Sequence, residues 1–318
     1  MQYPFKFLLL LCCSFIFLSS NAQINYPYEV KKITLYPEGI AAQMAYMDVK
    51  SKEEPNKNIL LLHGKNFNGY YWKDVITFFE KKGYRVIVPD QIGWGKSDYP
   101  NLHYSFHLLS SNTKQLLDSL GIKKVTVMGH SMGGMLATRF ALMYSDIVEK
   151  LILENPIGLE DYKTFVPYQS FQVLYEKEKK ATYESYLKYQ KTYYPVWKPE
   201  YEQYVQAQAA ELQSSNFDRV ALVNVFTYQM IYEQPVCYEF SLLRLPVLLI
   251  IGQADRTIVG KNLLTSYQQN SHGNYPLLGR KTKSMIKGCV LKELKGVGHI
   301  PHIQSLNEFK KIVNSFLP

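Results

Sequence analysis

Alternating apolar strand runs and helical runs predict an α/β chain, built on a mostly parallel sheet with helices on both faces. A helical insertion is expected late in the chain. Three observations carry this reading. Short all-apolar runs such as 59–62 and 246–251 mark strands buried on both faces. Helix-length segments separate successive strands, as crossovers between parallel neighbours require. The rhythm then breaks over 156–240, which has no clear strand run and is rich in Tyr, Glu, Lys and Gln.

Taken in order, residues 1–22 hold Lys6, an apolar core at 7–18 and Ser19-Ser20-Asn21-Ala22. Small residues at Ser20 and Ala22 suit the −3 and −1 positions of a signal-peptidase site, so residues 1–22 read as a signal peptide and Gln23 as the mature start. The core is shorter than the roughly 20 residues of a membrane span, and no later segment reaches that length. An uncleaved anchor is the alternative. A lipoprotein leader fits less well, because Leu11 precedes Cys12 and Cys12 precedes Cys13. The expectation is an exported protein, periplasmic or secreted, with no stable membrane span after maturation.

Residues 30–35 and 40–49 read as an opening hairpin turned by Pro37-Glu38-Gly39. Strand 59–62 is followed by a helix over 71–82 that Gly83 stops, then by strand 85–88. A helix over 105–120 ends at Gly121. Strand 125–128 leads into a helix over 132–143, and strands 151–153, 246–251 and 290–294 and a closing helix over 306–316 complete the pattern. Core is expected over 23–155 and 241–318, with a helical cap over 156–240. Tyr183, Tyr186, Tyr189 and Tyr193 fall near helical spacing in that cap, with Tyr201 and Tyr204 on a further helix. A tyrosine suits a roof over a pocket, since it buries a ring and keeps a polar tip; each equally suits plain packing of cap on core. Residues 268–287, with Gly273, Pro276, Gly279 and several lysines, read as an irregular surface excursion, long enough to border a site though the sequence does not decide that.

Thirty-six Lys and Arg against 27 Asp and Glu give a net charge of +9. The lysines are interspersed with acids, as in Lys177-Glu178-Lys179-Lys180, so they read as solvated surface and nucleic-acid binding is not expected. Cys12 and Cys13 leave with the leader. Cys237 and Cys289 remain, either paired or as separate thiols. No Cys/His cluster has metal-ligand spacing, and neither metal nor cofactor is expected. Gly95-Lys96-Ser97 invites a phosphate-loop reading, but the glycine that motif needs five residues before Gly95 is Asp90.

Gly129-His130-Ser131-Met132-Gly133 is the most informative stretch. It closes strand 125–128 and opens helix 132–143, which makes it a sharp strand-to-helix turn and not a chance match. Such a turn lifts the Ser131 hydroxyl above the sheet. Glycine is required at its flanks, where a side chain would strike a neighbouring element. The Met132 N–H, at the helix start, stands ready to hold a developing oxyanion.

Five signals occur in order: a His63-Gly64 turn, the Asp90 to Ser97 loop, Gly129-His130-Ser131-Met132-Gly133-Gly134, Gly252-Gln253-Ala254-Asp255, and Gly298-His299. Together they resemble the α/β-hydrolase family over essentially the whole mature chain. The resemblance implies an α/β-hydrolase fold: an eight-stranded, mostly parallel sheet with helices on both faces and a helical cap insertion. It also implies a triad of Ser131, Asp255 and His299. Glu154, at the end of an earlier strand, and His302 are the competing acid and base. Lys65 is the implied second oxyanion donor through its backbone N–H, beside Met132, with Asn66 in reserve. The Lys65 ammonium either points into solvent or draws an acidic substrate group. His63 is expected to orient the turn, and the Asp90 loop to shape the edge of the site.

The implied activity is that of a serine hydrolase cleaving a carboxylic ester of a small acyl substrate. Haloalkane dehalogenases and epoxide hydrolases resemble the chain elsewhere but need an aspartate nucleophile. Carbon–carbon bond hydrolysis, cofactor-free peroxidase chemistry, aminopeptidase activity and a non-catalytic ligand-binding role are the alternatives on this fold.

Overall fold

The computed structural model describes residues 25–52 and 57–317. The leader read at 1–22 lies outside them. Among the described residues eight strands form one sheet: β1 Val30–Leu35, β2 Ala42–Val49, β3 Lys57–Leu62, β4 Tyr84–Pro89, β5 Val125–His130, β6 Val148–Glu154, β7 Val247–Gly252 and β8 Val290–Leu294. Their order across the sheet is β1-β2-β4-β3-β5-β6-β7-β8. β2 runs antiparallel to both its neighbours, β1 and β4, and every other pairing is parallel. The expected sheet is therefore present, with the opening hairpin contributing the one reversed strand among those described.

The helices are α1 Lys73–Lys81, α2 Phe106–Ser119, α3 Met132–Met143, α4 Phe171–Glu178, α5 Tyr183–Lys191, α6 Glu202–Ala209, α7 Phe217–Glu233, α8 Ser266–Ser271, α9 Tyr275–Met285, α10 Pro301–Gln304 and α11 Leu306–Phe316. Strand periodicity explains how they sandwich the sheet. In β3, Leu60 and Leu62 join one buried cluster with α2, α3 and α9, while Ile59 and Leu61 join a second with α1 and α11. Successive side chains point to opposite faces, so an all-apolar strand feeds two cores at once. Each such side chain contributes roughly 1.5–3 kcal/mol on burial.

Helices α4–α7 all fall between β6 and β7, in the stretch where the sequence rhythm broke. Two sequence readings need correction. The helix expected from residue 71 begins as a tight 3-10 turn, Gly69–Trp72, before α1. The Asn68 side chain accepts from the Tyr70 N–H and winds that turn. Residues 268–287 are not irregular either. Asn274 accepts from the Leu277 N–H to cap α9, and Pro276 sits in its first turn, where a missing N–H costs nothing. Gly279 lets α9 lie against Ile251 of β7, whose Cγ1 stands 2.8 Å from where a Cβ would be. Cys237 and Cys289 are both free thiols.

The parallel register brings the chemistry together. Leu62 lies beside Gly129, His130 beside Glu154, and Glu154 beside Ile250. The carboxyl ends of β3, β5, β6 and β7 thus form one rim, which is where an open parallel sheet offers its ligand site.

Candidate active site

Ser131 sits between β5 and α3 with φ +55° and ψ −122°, a conformation an L-residue holds at a cost of about 1–3 kcal/mol. Its neighbours hold it there. The Ser131 N–H donates to the Glu154 carbonyl (3.2 Å), and the Ser131 carbonyl accepts from the N–H groups of Gly134 (2.9 Å) and Ile157 (3.2 Å). A Cβ on Gly129 would collide with the Gly133 carbonyl, and one on Gly133 with the Leu62 carbonyl. Helix and strands close on the turn from both sides, so the motif's glycines are a packing requirement.

From Ser131 a single line of hydrogen bonds runs through two turns at strand ends. The Ser131 hydroxyl lies 2.9 Å from His299 Nε2. His299 Nδ1 lies 2.7 Å from Asp255 Oδ2, so that Nδ1–H donates to the carboxylate and leaves Nε2 free to accept from the serine. Asp255 also accepts from the Thr257 N–H (2.8 Å) and from Asn155 Nδ2 (2.8 Å). Burial alone would push this carboxyl up. His299 and the hydrogen bonds from Thr257 and Asn155 outweigh it and hold the group below its usual range, so it is ionised at neutral pH.

The turn after β3 passes directly against the serine: a Cβ on Gly64 would lie 3.1 Å from Ser131 Cβ. Its peptide plane is fixed. The Gly64 carbonyl accepts from the Phe67 N–H (3.2 Å) and from His63 Nδ1 (2.9 Å), while His63 Nε2 accepts from the Gln91 N–H (3.0 Å). Burial lowers the His63 pKa, which keeps that imidazole neutral and suited to both bonds. A trans peptide points its N–H away from its carbonyl, so the Lys65 N–H is aimed opposite those anchors. Met132, first residue of α3, has no carbonyl a turn back to bond. The Asp90 loop braces the same turn, because Trp94 Nε1 donates to the Lys65 carbonyl (2.7 Å). Asp90 itself accepts from the N–H groups of Gly69 and Lys96 and from the Tyr26 hydroxyl, as a structural carboxylate and not a phosphate site.

Above Ser131 lies a cavity of about 440 Å³, roofed by α4–α7 and walled partly by Lys65, Tyr189, Tyr193, Tyr228 and Glu211. That volume suits a small organic ligand. One expectation fails here. The Lys65 ammonium does not point into solvent; it lines this cavity and donates to Thr227 Oγ1 of α7 (3.1 Å). Thr227 in turn gives its proton to the Val223 carbonyl (2.9 Å), which orients its lone pair toward the lysine.

Residues 57–273 match the family model for the alpha/beta hydrolase fold. The chain belongs to the α/β-hydrolase family. A probable hydrolytic enzyme from Pseudomonas aeruginosa PAO1, known from its crystal structure, is 40% identical with a TM-score of 0.91, covering 93% of this chain and 96% of that one. Curated relatives match over shorter stretches. Epoxide hydrolase 3 of Xenopus tropicalis is 35% identical over 40% of this chain and 36% of its own length. A 2-hydroxy-6-oxononadienedioate/2-hydroxy-6-oxononatrienedioate hydrolase of Comamonas testosteroni is 31% identical over 49% and 55%. The chain thus spans well under two thirds of these curated relatives.

The fold places the rival acid and base on each other. Glu154 accepts from both the N–H (2.7 Å) and Nδ1 (2.9 Å) of His302, and neither touches Ser131's hydroxyl. Trp72 stacks on the His302 ring at 4.3 Å between centroids. Sequence reasoning missed Asn155 and Tyr71, and left Tyr193 as a cap residue without a partner. Asn155, at φ +37°, donates to Asp255 and accepts from the Gly252 N–H (2.9 Å), tying β6 and β7 at the acid. An asparagine tolerating positive φ at a strand end was the available signal. Tyr71 accepts from the Gly64 N–H and donates to His130 Nδ1, and His130 Nε2 donates to the His299 carbonyl, linking all three site loops. Tyr193 stacks on the His299 ring at 4.8 Å, takes the His299 N–H on its carbonyl and accepts from Asn66 with its hydroxyl. The Asn66 side chain therefore ties the turn after β3 to the cap.

Proposed function

We propose that this hydrolase is a serine esterase acting through Ser131, His299 and Asp255. The observation that carries the reading is the continuous line from carboxylate to imidazole to hydroxyl, ending at a cavity of about 440 Å³. A serine hydroxyl is a weak nucleophile until a base takes its proton, and the base must be held in one tautomer. His299 Nε2 takes the Ser131 proton as Oγ attacks the ester carbonyl. Asp255, ionised and bonded to Nδ1–H, steadies the imidazolium that results. Charge moves to the carbonyl oxygen, where the Lys65 and Met132 N–H groups receive it. His299 then protonates the departing alcohol, and water, deprotonated by the same nitrogen, releases the acid.

Serine at the elbow speaks against the aspartate chemistry of epoxide hydrolases, despite the partial likeness to one. The same proposal includes export, with maturation at Gln23 and residence in the periplasm or medium. N-terminal sequencing of the purified protein checks that part.

The activity is tested with a fluorophosphonate probe on the mature protein beside Ser131→Ala, followed by p-nitrophenyl esters of increasing chain length. Labelling of the parent alone, with ester turnover, is the expected result. Absence of both overturns the reading.

A further inference from the structure

Lys65 brings two different groups to the site. Its backbone N–H faces away from the anchored Gly64 carbonyl, and its ammonium enters the same cavity that Ser131 opens on. Thr227 uses one of the three ammonium donors. Among the described residues no carboxylate lies within ion-pair distance of that ammonium. Burial pulls its pKa down, and only the more distant charges of Glu178 and Glu211 pull it back.

Glu211 is poorly placed to act as the missing partner. It accepts from the Tyr99 hydroxyl (3.0 Å), and burial pushes its carboxyl up to about 7, so near neutral pH it is only partly charged. Two further lysines, Lys177 and Lys180, stand exposed on the lining with the half-buried Glu178 between them in sequence, so these three lining residues are net positive by one charge. A net positive lining raises the local concentration of anions. A partly buried cation without a close counter-ion carries a desolvation cost, and a ligand that brings one removes it.

We propose that the substrate is an ester carrying its own carboxylate, which the Lys65 ammonium binds inside the cavity while Ser131 attacks the ester carbonyl. The inference rests on the esterase reading and names its substrate class. The carboxylate belongs either to the acyl part or to the alcohol part, and both place an anion within the same cavity.

The test compares kcat/KM for mono-4-nitrophenyl glutarate with that for 4-nitrophenyl 5-methylhexanoate, its near-isosteric neutral counterpart. Acetyl esters of 4-hydroxybenzoate and of 4-hydroxybenzamide probe the alcohol side. In at least one pair the parent prefers the anionic ester. Lys65→Met and Lys65→Gln each lower that preference at least 10-fold, mainly through KM, whatever they do to both esters in common. Gln keeps a donor for Thr227, so agreement of the two variants separates charge from packing. Neutral esters turned over with no anionic preference, or a preference unmoved in both variants, overturn the inference and leave the esterase reading standing. If no ester is turned over, calorimetry decides with monomethyl glutarate on Ser131→Ala and on Ser131→Ala/Lys65→Gln. Binding at least 10-fold weaker in the second supports the carboxylate site, and equal or absent binding in both overturns it.

Discussion

Two histidine–carboxylate pairs lie buried at the rim of this sheet, and they differ in what surrounds them more than in what they are. His299 meets Asp255 at 2.7 Å and His302 meets Glu154 at 2.9 Å, with all four side chains almost wholly out of solvent. His299 Nε2 faces a hydroxyl and, past it, a cavity. His302 Nε2 has no hydrogen-bond partner among the described residues, and its ring is covered by Trp72 and edged by Tyr71 and Phe309. A buried acid–base pair is therefore not by itself a functional site. What distinguishes the His299–Asp255 pair, the one proposed to be catalytic, is an adjacent serine hydroxyl and an open cavity, while the enclosed pair pins the loop after His299 onto β6.

The largest expected effect separates the pairs outright. Ser131→Ala or His299→Gln lowers ester kcat/KM about 10⁴–10⁶-fold, read by initial rates. Asp255→Asn follows at about 10²–10⁴-fold, because it removes the charge that stabilises the imidazolium and weakens the tautomer preference. Glu154→Ala inverts the pattern. It strands His302 and costs about 3–5 kcal/mol of stability in urea unfolding, yet leaves kcat per folded molecule within a few-fold. A collapse of kcat without loss of stability would erase the distinction between the pairs.

A smaller effect concerns the cap. Glu211 has a folded pKa of about 7 against an ordinary 4.5. Between those values the folded state binds more protons, so stability from this group is full below pH 4.5 and is lost as pH rises through 7. Glu211→Gln keeps an acceptor for Tyr99 and removes the buried charge. It should raise stability at pH 8 relative to pH 5 by about 1–3 kcal/mol, measured by urea unfolding at both. Smallest of all, Tyr193→Phe deletes the hydroxyl that Asn66 bonds but keeps the ring on His299. A few-fold loss in kcat/KM is expected, with the pH profile unmoved.

How much of this was legible depends on how local each signal is. The Ser131 elbow was readable because strand, glycines and helix start are contiguous in sequence. The strands were readable because burial on both faces leaves an all-apolar run. Asp255 and His299 were nameable through the family resemblance, with Glu154 at the end of β6 and His302, three residues after His299, left as rivals. Only the fold shows that the rivals are spent on each other. The direction of the Lys65 side chain had no sequence signal at all, since Thr227 lies 162 positions away. Residues 268–287 misled because glycine, proline and lysine look like loop composition, whereas Pro276 is a first-turn residue of α9.

The most direct measurement is the rate of fluorophosphonate labelling, read by intact mass and mapped by peptide digestion, for the parent, His299→Gln and His302→Gln. The account predicts an adduct on Ser131 in the parent, almost none in His299→Gln, and near-parental labelling of the folded fraction of His302→Gln. Labelling that survives loss of His299 and vanishes with loss of His302 would contradict it.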